Sequence, residues 1–141
     1  MRCVAMVALV VCLAASSAQA ARAVWQGSLC PEDCDEAFPT STVTLKAKVR
    51  TLDGFGRIRL KGKLLCAGPD CPFTRGKVRA DAPAGFAQVG FDIRKGRDFA
   101  CTFLLFGESE PDPSQQLFGD VACYRGGAFE SGGGLELRRV Q

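Results

Sequence analysis

Short segments in which apolar and polar residues alternate recur along the chain after residue 20, and glycine, proline and aspartate separate them. Alternation with a period of two is typical of half-buried β-strands, and no long stretch there has the period of about 3.6 of an amphipathic helix. The pattern predicts strands at 23–29, 42–51, 55–65, 73–80, 86–94, 98–106, 117–125 and 134–140. Eight short antiparallel strands favour a small all-β barrel in a single domain, with a β-sandwich as the alternative.

The clearest predicted turn is Asp53-Gly54, which lies between two of these segments. Asp-Gly in this position is typical of a two-residue type I′ hairpin turn. Its register pairs Val49 with Ile58 on the core face and Arg50 with Arg57 on the opposite face. The opposite face is therefore predicted to be a ladder of cations: Lys46, Lys48, Arg50, Arg57, Arg59, Lys61 and Lys63.

A second hairpin is predicted around Lys95-Gly96-Arg97, a three-residue loop in which glycine is available for a left-handed conformation. The strand after it should place Val121 opposite Phe103 and Cys123 opposite Cys101. In that register an apolar set points away from the core: Phe86, Leu104, Phe106, Phe118 and Tyr124. We interpret this set as a partner or ligand surface, as a face covered by the acidic loop at 108–116 or the Gly-rich connection at 125–134, or as a register error of one residue.

Residues 1–20 have the features of a secretory signal peptide. Arg2 precedes an apolar run at 4–15, and Ala18-Gln19-Ala20 matches an A-x-A cleavage site. We therefore expect a secreted or periplasmic protein with one domain at 21–141. No later stretch reaches the roughly 18 apolar residues of a transmembrane helix.

Cleavage would remove Cys3 and Cys12 and leave six of the eight cysteines. An even set in a small exported domain is typical of disulfide bonds. Local geometry favours three bridges: Cys30–Cys34, Cys66–Cys71 and Cys101–Cys123. The first pair has three intervening residues, unlike the C-x-x-C of thiol oxidoreductases, and exported thiols oxidise rather than bind zinc.

The chain contains no histidine, the commonest general base and metal ligand. Its serines have no histidine partner and no G-x-S-x-G elbow, and the acids at 32–36 lack the spacing of a calcium loop. We therefore expect no catalytic residue, no cofactor and no metal site.

The net charge of +3 conceals an uneven distribution, because residues 42–79 hold ten lysines and arginines against Asp53 and Asp70. A tight turn that pairs Cys66 with Cys71 would direct Arg75, Lys77 and Arg79 to the core side. We predict instead a bulge at Gly76 that turns these three residues outward, so that they extend the ladder. Like charges opposite one another normally destabilise a sheet. The ladder is thus either an anion-binding surface or a solvated face that discourages edge aggregation.

These features predict a non-enzymatic binding domain whose basic face meets an anionic polymer such as a glycan, a lipid headgroup or an acidic protein. Nucleic acid is not expected, because one tryptophan and one tyrosine provide little for base stacking. Two alternatives stay open: an inhibitor of a secreted enzyme that uses the loop at 66–71 or 108–116, and a barrel carrier of a small apolar ligand.

Trp25 in the first strand, eight strands and Arg138-Arg139 in the last are similar to lipocalin-type barrels. The segment Ala23-Val24-Trp25 lacks the G-x-W motif of that family. The likeness therefore concerns architecture, and no functional residue is carried over from it.

Overall fold

The computed structural model describes residues 20–30, 41–52, 54, 57–83, 88–107 and 115–141. The signal-peptide prediction at 1–19, the acids at 32–36 and Cys34 lie outside the described residues. Eight strands account for most of the described chain: β1 Ala21–Cys30, β2 Ser41–Thr51, β3 Ile58–Ala67, β4 Arg75–Ala82, β5 Gln88–Lys95, β6 Phe99–Gly107, β7 Gln116–Arg125 and β8 Ala128–Arg139. Within these ranges no α-helical segment has the length and hydropathy of a membrane span.

The eight strands form one antiparallel sheet in the order β4-β3-β2-β1-β8-β7-β6-β5. Strands β1 and β8 pair with each other, and the two end strands, β4 and β5, lie side by side. The side chain of Ile93 on β5 fills the space that a Cβ on Gly76 of β4 would take. The sheet is therefore a nearly closed barrel, which confirms the all-β prediction in its barrel form.

Alternate positions of every strand fill the interior. Trp25, Leu45 and Leu60 have essentially no exposed surface, and Phe103 is similarly buried. The ring of Phe103 stacks on Phe91 at a centroid distance of 4.9 Å, and it meets Phe73 edge-on at 6.1 Å. Burial of these large apolar side chains is the main stabilising contribution to the fold.

The β2–β3 hairpin keeps its predicted faces, but its predicted register is wrong by two residues. Val49 lies opposite Leu60 instead of Ile58, and Lys46 lies opposite Lys63. A hydrogen bond from the Leu52 amide to the Arg57 carbonyl, 2.7 Å long, closes a four-residue loop in place of the two-residue turn. Because the error is an even number, every side chain stays on the face that was predicted for it.

The β3–β4 connection is longer than a tight turn between the two cysteines. The Cys66 amide donates to the Thr74 carbonyl at 3.0 Å, and the register then runs unbroken from Leu65 opposite Arg75 to Ile58 opposite Ala82. The predicted bulge at Gly76 is therefore wrong. The outward direction of Arg75, Lys77 and Arg79 is right, and the length of the connection produces it.

The predicted pairing of β6 with β7 is confirmed: Cys101 lies opposite Cys123, and Phe103 lies opposite Val121. The loop before β6 has three residues, as expected, but it is 96–98 and so begins one residue later. The Gly-rich connection predicted at 125–134 is wrong. Gly126 and Gly127, at φ values of 56° and 82°, make a two-residue turn, and β8 begins directly after it.

Disulfides join Cys66 to Cys71 and Cys101 to Cys123, as predicted. Cys30 is also disulfide-bonded. Disulfide bonds are typical of proteins in an oxidising compartment.

Candidate anion-binding face

One half of the barrel, strands β1–β4, carries an unbalanced set of charges. The alternation that buries Val43, Leu45 and Ala47 turns the lysines between them outward. One cation lies on β1 and three lie on each of β2, β3 and β4, whereas Asp81 is the one carboxylate in these four strands. Strands β5–β8 carry five cations and four carboxylates, so the charge imbalance belongs to the first half of the sheet.

The strand registers align the cations into rows that cross the strands. Arg22 lies opposite Lys48, Lys48 opposite Lys61, and Lys61 opposite Arg79. We call this set of four the long row. The next row towards the Cys66–Cys71 loop, which we call the short row, consists of Lys46, Lys63 and Lys77.

The separation between the cations follows from sheet geometry. Neighbouring strands are about 4.8 Å apart, so the long row extends over about 14 Å. The two rows are offset by two residues along each strand, which is about 6.8 Å. The seven cations therefore occupy a compact area of roughly 14 by 7 Å.

An open depression with a volume of about 1330 Å³ lies over this area. Both rows contribute to its lining, and Ala47 and Gly62, which lie opposite each other, form part of its floor. Enclosed sites for small molecules typically occupy roughly 300–1,000 Å³. The larger, open shape suits an extended ligand better than a small enclosed one.

None of the seven side chains in the two rows forms an ion pair with a described residue. The ion pairs within the described ranges are Arg59–Asp81, Arg125–Glu130 and Arg138–Glu136. Like charges therefore lie beside one another without a neutralising partner in that part of the chain. Such an arrangement costs free energy, and it leaves the cations available to an external anion.

Asp81 neutralises one member of the predicted ladder. Arg59 donates to it from Nε at 2.6 Å and from a terminal nitrogen at 2.8 Å. These hydrogen bonds are the largest effect and lower the pKa of Asp81; desolvation opposes them, and the charges of Arg59, Arg57 and Arg79 add smaller effects in the lowering direction. The same hydrogen bonds raise the pKa of Arg59.

The predicted ladder residues thus fall into two groups. Lys46, Lys48, Lys61 and Lys63 form the centre of the two rows. Arg50 lies opposite the ion-paired Arg59. Arg57 directly precedes β3, at the end of the hairpin loop. The sequence reasoning missed Arg22, because its place in the long row depends on the β1–β2 register. The one signal in the sequence for an outward Arg22 was its position directly before Ala23 and Trp25, the alternate residues that are buried in β1.

The predicted apolar outer face lies on the other half of the barrel, on β6 and β7. Leu104, Phe118 and Tyr124 are exposed and Phe106 is half-buried, while Phe86 lies outside the described residues. Phe129 on β8 was missed, because its segment was read as a loop; it is 65% exposed and contacts Tyr124 edge-on. Phe106 and Phe118 lie opposite each other with ring centroids 6.4 Å apart. Between this pair and the Tyr124–Phe129 pair, β7 carries the exposed Asp120 and the small Ala122, which lie opposite Gly134 and Gly132 of β8.

The Cys66–Cys71 loop is held against the barrel. The Ser41 hydroxyl accepts a hydrogen bond from the Asp70 amide at 2.8 Å, and Gly68 packs directly against Ser41. Phe73, just after the loop, is part of the core. Most of the other loop named for an inhibitor, 108–114, lies outside the described residues.

Over the described ranges, no three side chains of histidine, cysteine, aspartate or glutamate come together as a metal site. Comparisons with known proteins gave no match to a family model, to a curated protein or to a solved structure. The charge and shape of this face are therefore the basis for a proposed function.

Proposed function

We propose that this is an exported, non-enzymatic binding domain and that its β1–β4 face binds an anionic partner. The observation that carries the proposal is the pair of cation rows on strands β1–β4, because none of their seven side chains forms an ion pair with a described residue. Surface cations within a Debye length raise the local concentration of anions and accelerate their association. A pattern that costs stability is expected where it serves a function.

The alternative of a solvated, aggregation-resistant face explains only part of the pattern. Lysine on an edge strand discourages pairing with another chain. That reason applies to β4, an end strand of the sheet, but Lys46, Lys48 and Lys61 are on the interior strands β2 and β3. Binding accounts for cations at interior positions as well.

The two other candidate functions have weaker support. A carrier of an apolar ligand needs room in the barrel, whereas the Phe73, Phe91 and Phe103 rings pack against one another there. An inhibitory loop usually projects into its target, whereas the Cys66–Cys71 loop is bonded to Ser41. Export is supported by the leader-like segment at 1–20 and by the disulfides. The absence of histidine supports a role without catalysis.

The test is retention of the mature domain on a sulfated polysaccharide resin over a salt gradient. Replacing Lys46, Lys48, Lys61 and Lys63 together with serine should abolish salt-sensitive retention. Replacing the same four with arginine should preserve it, because the charges are kept. Far-UV circular dichroism and thermal unfolding check that both variants fold. Equal retention of the serine variant and the natural protein would overturn the proposal.

A further inference from the structure

Building on the proposed function, we infer that the partner is a linear anionic polysaccharide that lies across strands β1–β4, between the long row and the short row. This placement differs from one along the β2–β3 hairpin, which the ladder alone would suggest. The registers carry the inference. They spread the cations over four strands. Four cations without an ion pair are aligned across the strands, whereas a single strand carries at most three cations.

Along the β2–β3 hairpin, an ion pair interrupts the series of positively charged side chains. Moving from the two rows towards the hairpin loop, the next pair is Arg50 and Arg59, and Asp81 neutralises Arg59. Across the strands, the long row runs from Arg22 to Arg79 with no carboxylate between them. A polyanion therefore meets four cations over about 14 Å in this direction, with the short row about 6.8 Å to one side.

The shape and chemistry of the face favour a chain over a membrane surface. A bilayer surface is broad, whereas six of the seven row cations, all but Arg79, line a depression. Peripheral membrane binding also combines basic residues with apolar side chains that enter the lipid. Of the large apolar side chains that are exposed in the described chain, Val140 alone lines this depression.

Neither a folded acidic protein nor a single-stranded nucleic acid fits as well. Protein interfaces have an apolar, often aromatic centre, and single-stranded nucleic acids stack on exposed aromatic rings. The exposed aromatic residues Phe118, Tyr124 and Phe129 lie on β7 and β8, away from the rows.

The side chains themselves suit sulfate or carboxylate groups at irregular spacing. Five of the seven row residues are lysines, whose compact charges and flexible stems do not require the fixed bidentate geometry that arginine favours. A polysaccharide carries sulfate or carboxylate groups along its length. Each sugar that lies over a row therefore brings an anionic group close to a lysine, whatever the exact spacing of the groups.

The experiment measures binding of size-defined sulfated and polyuronate oligosaccharides to the mature domain by isothermal titration calorimetry at several salt concentrations. Affinity should rise with ligand length until the ligand spans about 14 Å, and then level off. Two charge-matched variants distinguish the directions: R22S/R79S removes the two ends of the long row, and R50S/R57S removes two arginines towards the hairpin loop.

Each cation contacting an anionic surface contributes about a fivefold change in affinity. R22S/R79S should therefore bind long oligosaccharides roughly 25-fold more weakly and reduce the slope of log K against log salt by about 1.5. R50S/R57S should change affinity by less than about threefold. An equal or larger loss in R50S/R57S would overturn the placement across the strands and leave the anion-binding function standing.

Competition experiments test the partner class. Vesicles containing anionic lipid, a single-stranded oligonucleotide and a polyglutamate peptide are each added to the complex with a long sulfated oligosaccharide. Displacement by any of them at a lower charge concentration than by free oligosaccharide would refute a polysaccharide partner, while anion binding would stand. Absence of salt-sensitive binding to all of the probes would refute both proposals.

Discussion

Reversing the charge of Lys61 should stabilise the domain and weaken binding at the same time. Lys61 is an informative position because it lies between two cations of the long row, Lys48 on β2 and Arg79 on β4. Lys61→Glu converts two repulsive cross-strand pairs into attractive ones. Lysine and glutamate are similarly disfavoured in strands, so the intrinsic β-propensity changes little.

The size of the effect follows from the sheet geometry. Directly opposite residues have Cβ atoms about 5 Å apart, and splayed side chains place the charges roughly 7 Å apart. Two unit charges at that distance in water interact by about 0.6 kcal/mol, or about 0.5 kcal/mol after screening in 10 mM salt. Lys61→Glu changes each of the two pairs from about 0.5 kcal/mol of repulsion to about 0.5 kcal/mol of attraction, which adds about 2 kcal/mol to the free energy of unfolding. The side-chain entropy lost in exposed ion pairs reduces this gain to about 1 kcal/mol.

Thermal unfolding followed by circular dichroism measures this change. We expect the Tm of Lys61→Glu to exceed that of the natural protein by roughly 3–5 °C in 10 mM salt and by less than about 1 °C in 1 M salt. Lys61→Gln, which only removes the repulsion, should show about half the gain. Affinity for a sulfated oligosaccharide should fall roughly 25-fold in Lys61→Glu. A lower Tm at low salt, or a change in Tm that salt does not affect, would refute the row arrangement.

Further predictions concern the disulfides, the close packing of the strands and the ion pair of the basic face. Replacing Cys101 and Cys123 with alanine should lower the free energy of unfolding by about 3 kcal/mol, because that bridge spans 22 residues. The bridge in the β3–β4 loop spans only 5 residues, and its removal should cost about 2 kcal/mol in the same urea titration. Gly62→Ala should cost about 2 kcal/mol, because the added methyl group would overlap the backbone of β2, whereas Gly90→Ala, whose methyl group has only ordinary contacts, should change stability by less than about 0.5 kcal/mol. Asp81→Asn should change polyanion affinity by less than about threefold, because the arginine that it releases, Arg59, lies opposite Arg50 and outside the two rows, and calorimetry measures the change.

The Asp81 variant also has a defined pH signature. The pKa of Asp81 is lower in the folded protein than in the unfolded chain, so its contribution to stability is complete above the ordinary pKa of about 3.9 and is lost as the pH falls through the lower folded-state value. The natural protein should therefore be more stable than Asp81→Asn at pH 6, and the difference should shrink below about pH 4. A difference that grows in acid would contradict this account of the ion pair.

Two results would count against the packing predictions. If Gly62→Ala and Gly90→Ala were equally stable, the close approach of β2 and β3 at Gly62 would be wrong. If loss of the shorter bridge cost more than loss of the Cys101–Cys123 bridge, loop length would not determine the disulfide contributions.

The faces of the strands could be predicted from the sequence more securely than their partners. The alternation around Lys46 and Lys48 defines the outward side on β2 alone, and a two-residue error in register left it unchanged. The identity of the cross-strand neighbours depends on the length of the hairpin loop, and Asp-Gly is also compatible with a longer loop than the two-residue turn. The ladder was therefore predictable, whereas the rows required the structure.

The remaining errors arose where pairing with a distant strand overrides local propensity. The segment Ser131–Gly134 has low β-propensity, and yet it continues β8 because β7 pairs with it along its length. Arg22 joins the long row through a pairing of β1 with β2 across ten intervening residues, 31–40, and nothing local defines that register. In both cases pairing with another strand determines the structure, and the local sequence pattern contains no signal for that pairing.

The most direct test of the basic face is an NMR titration of the ¹⁵N-labelled domain with a sulfated oligosaccharide at low salt, followed by addition of sodium chloride. The largest amide shifts should lie in β1–β4, be centred on Lys48 and Lys61, extend to Arg22 and Arg79, and reverse with salt. Shifts concentrated around Phe118 and Phe129, or no salt-reversible shift in β1–β4, would contradict an anion-binding function for this face.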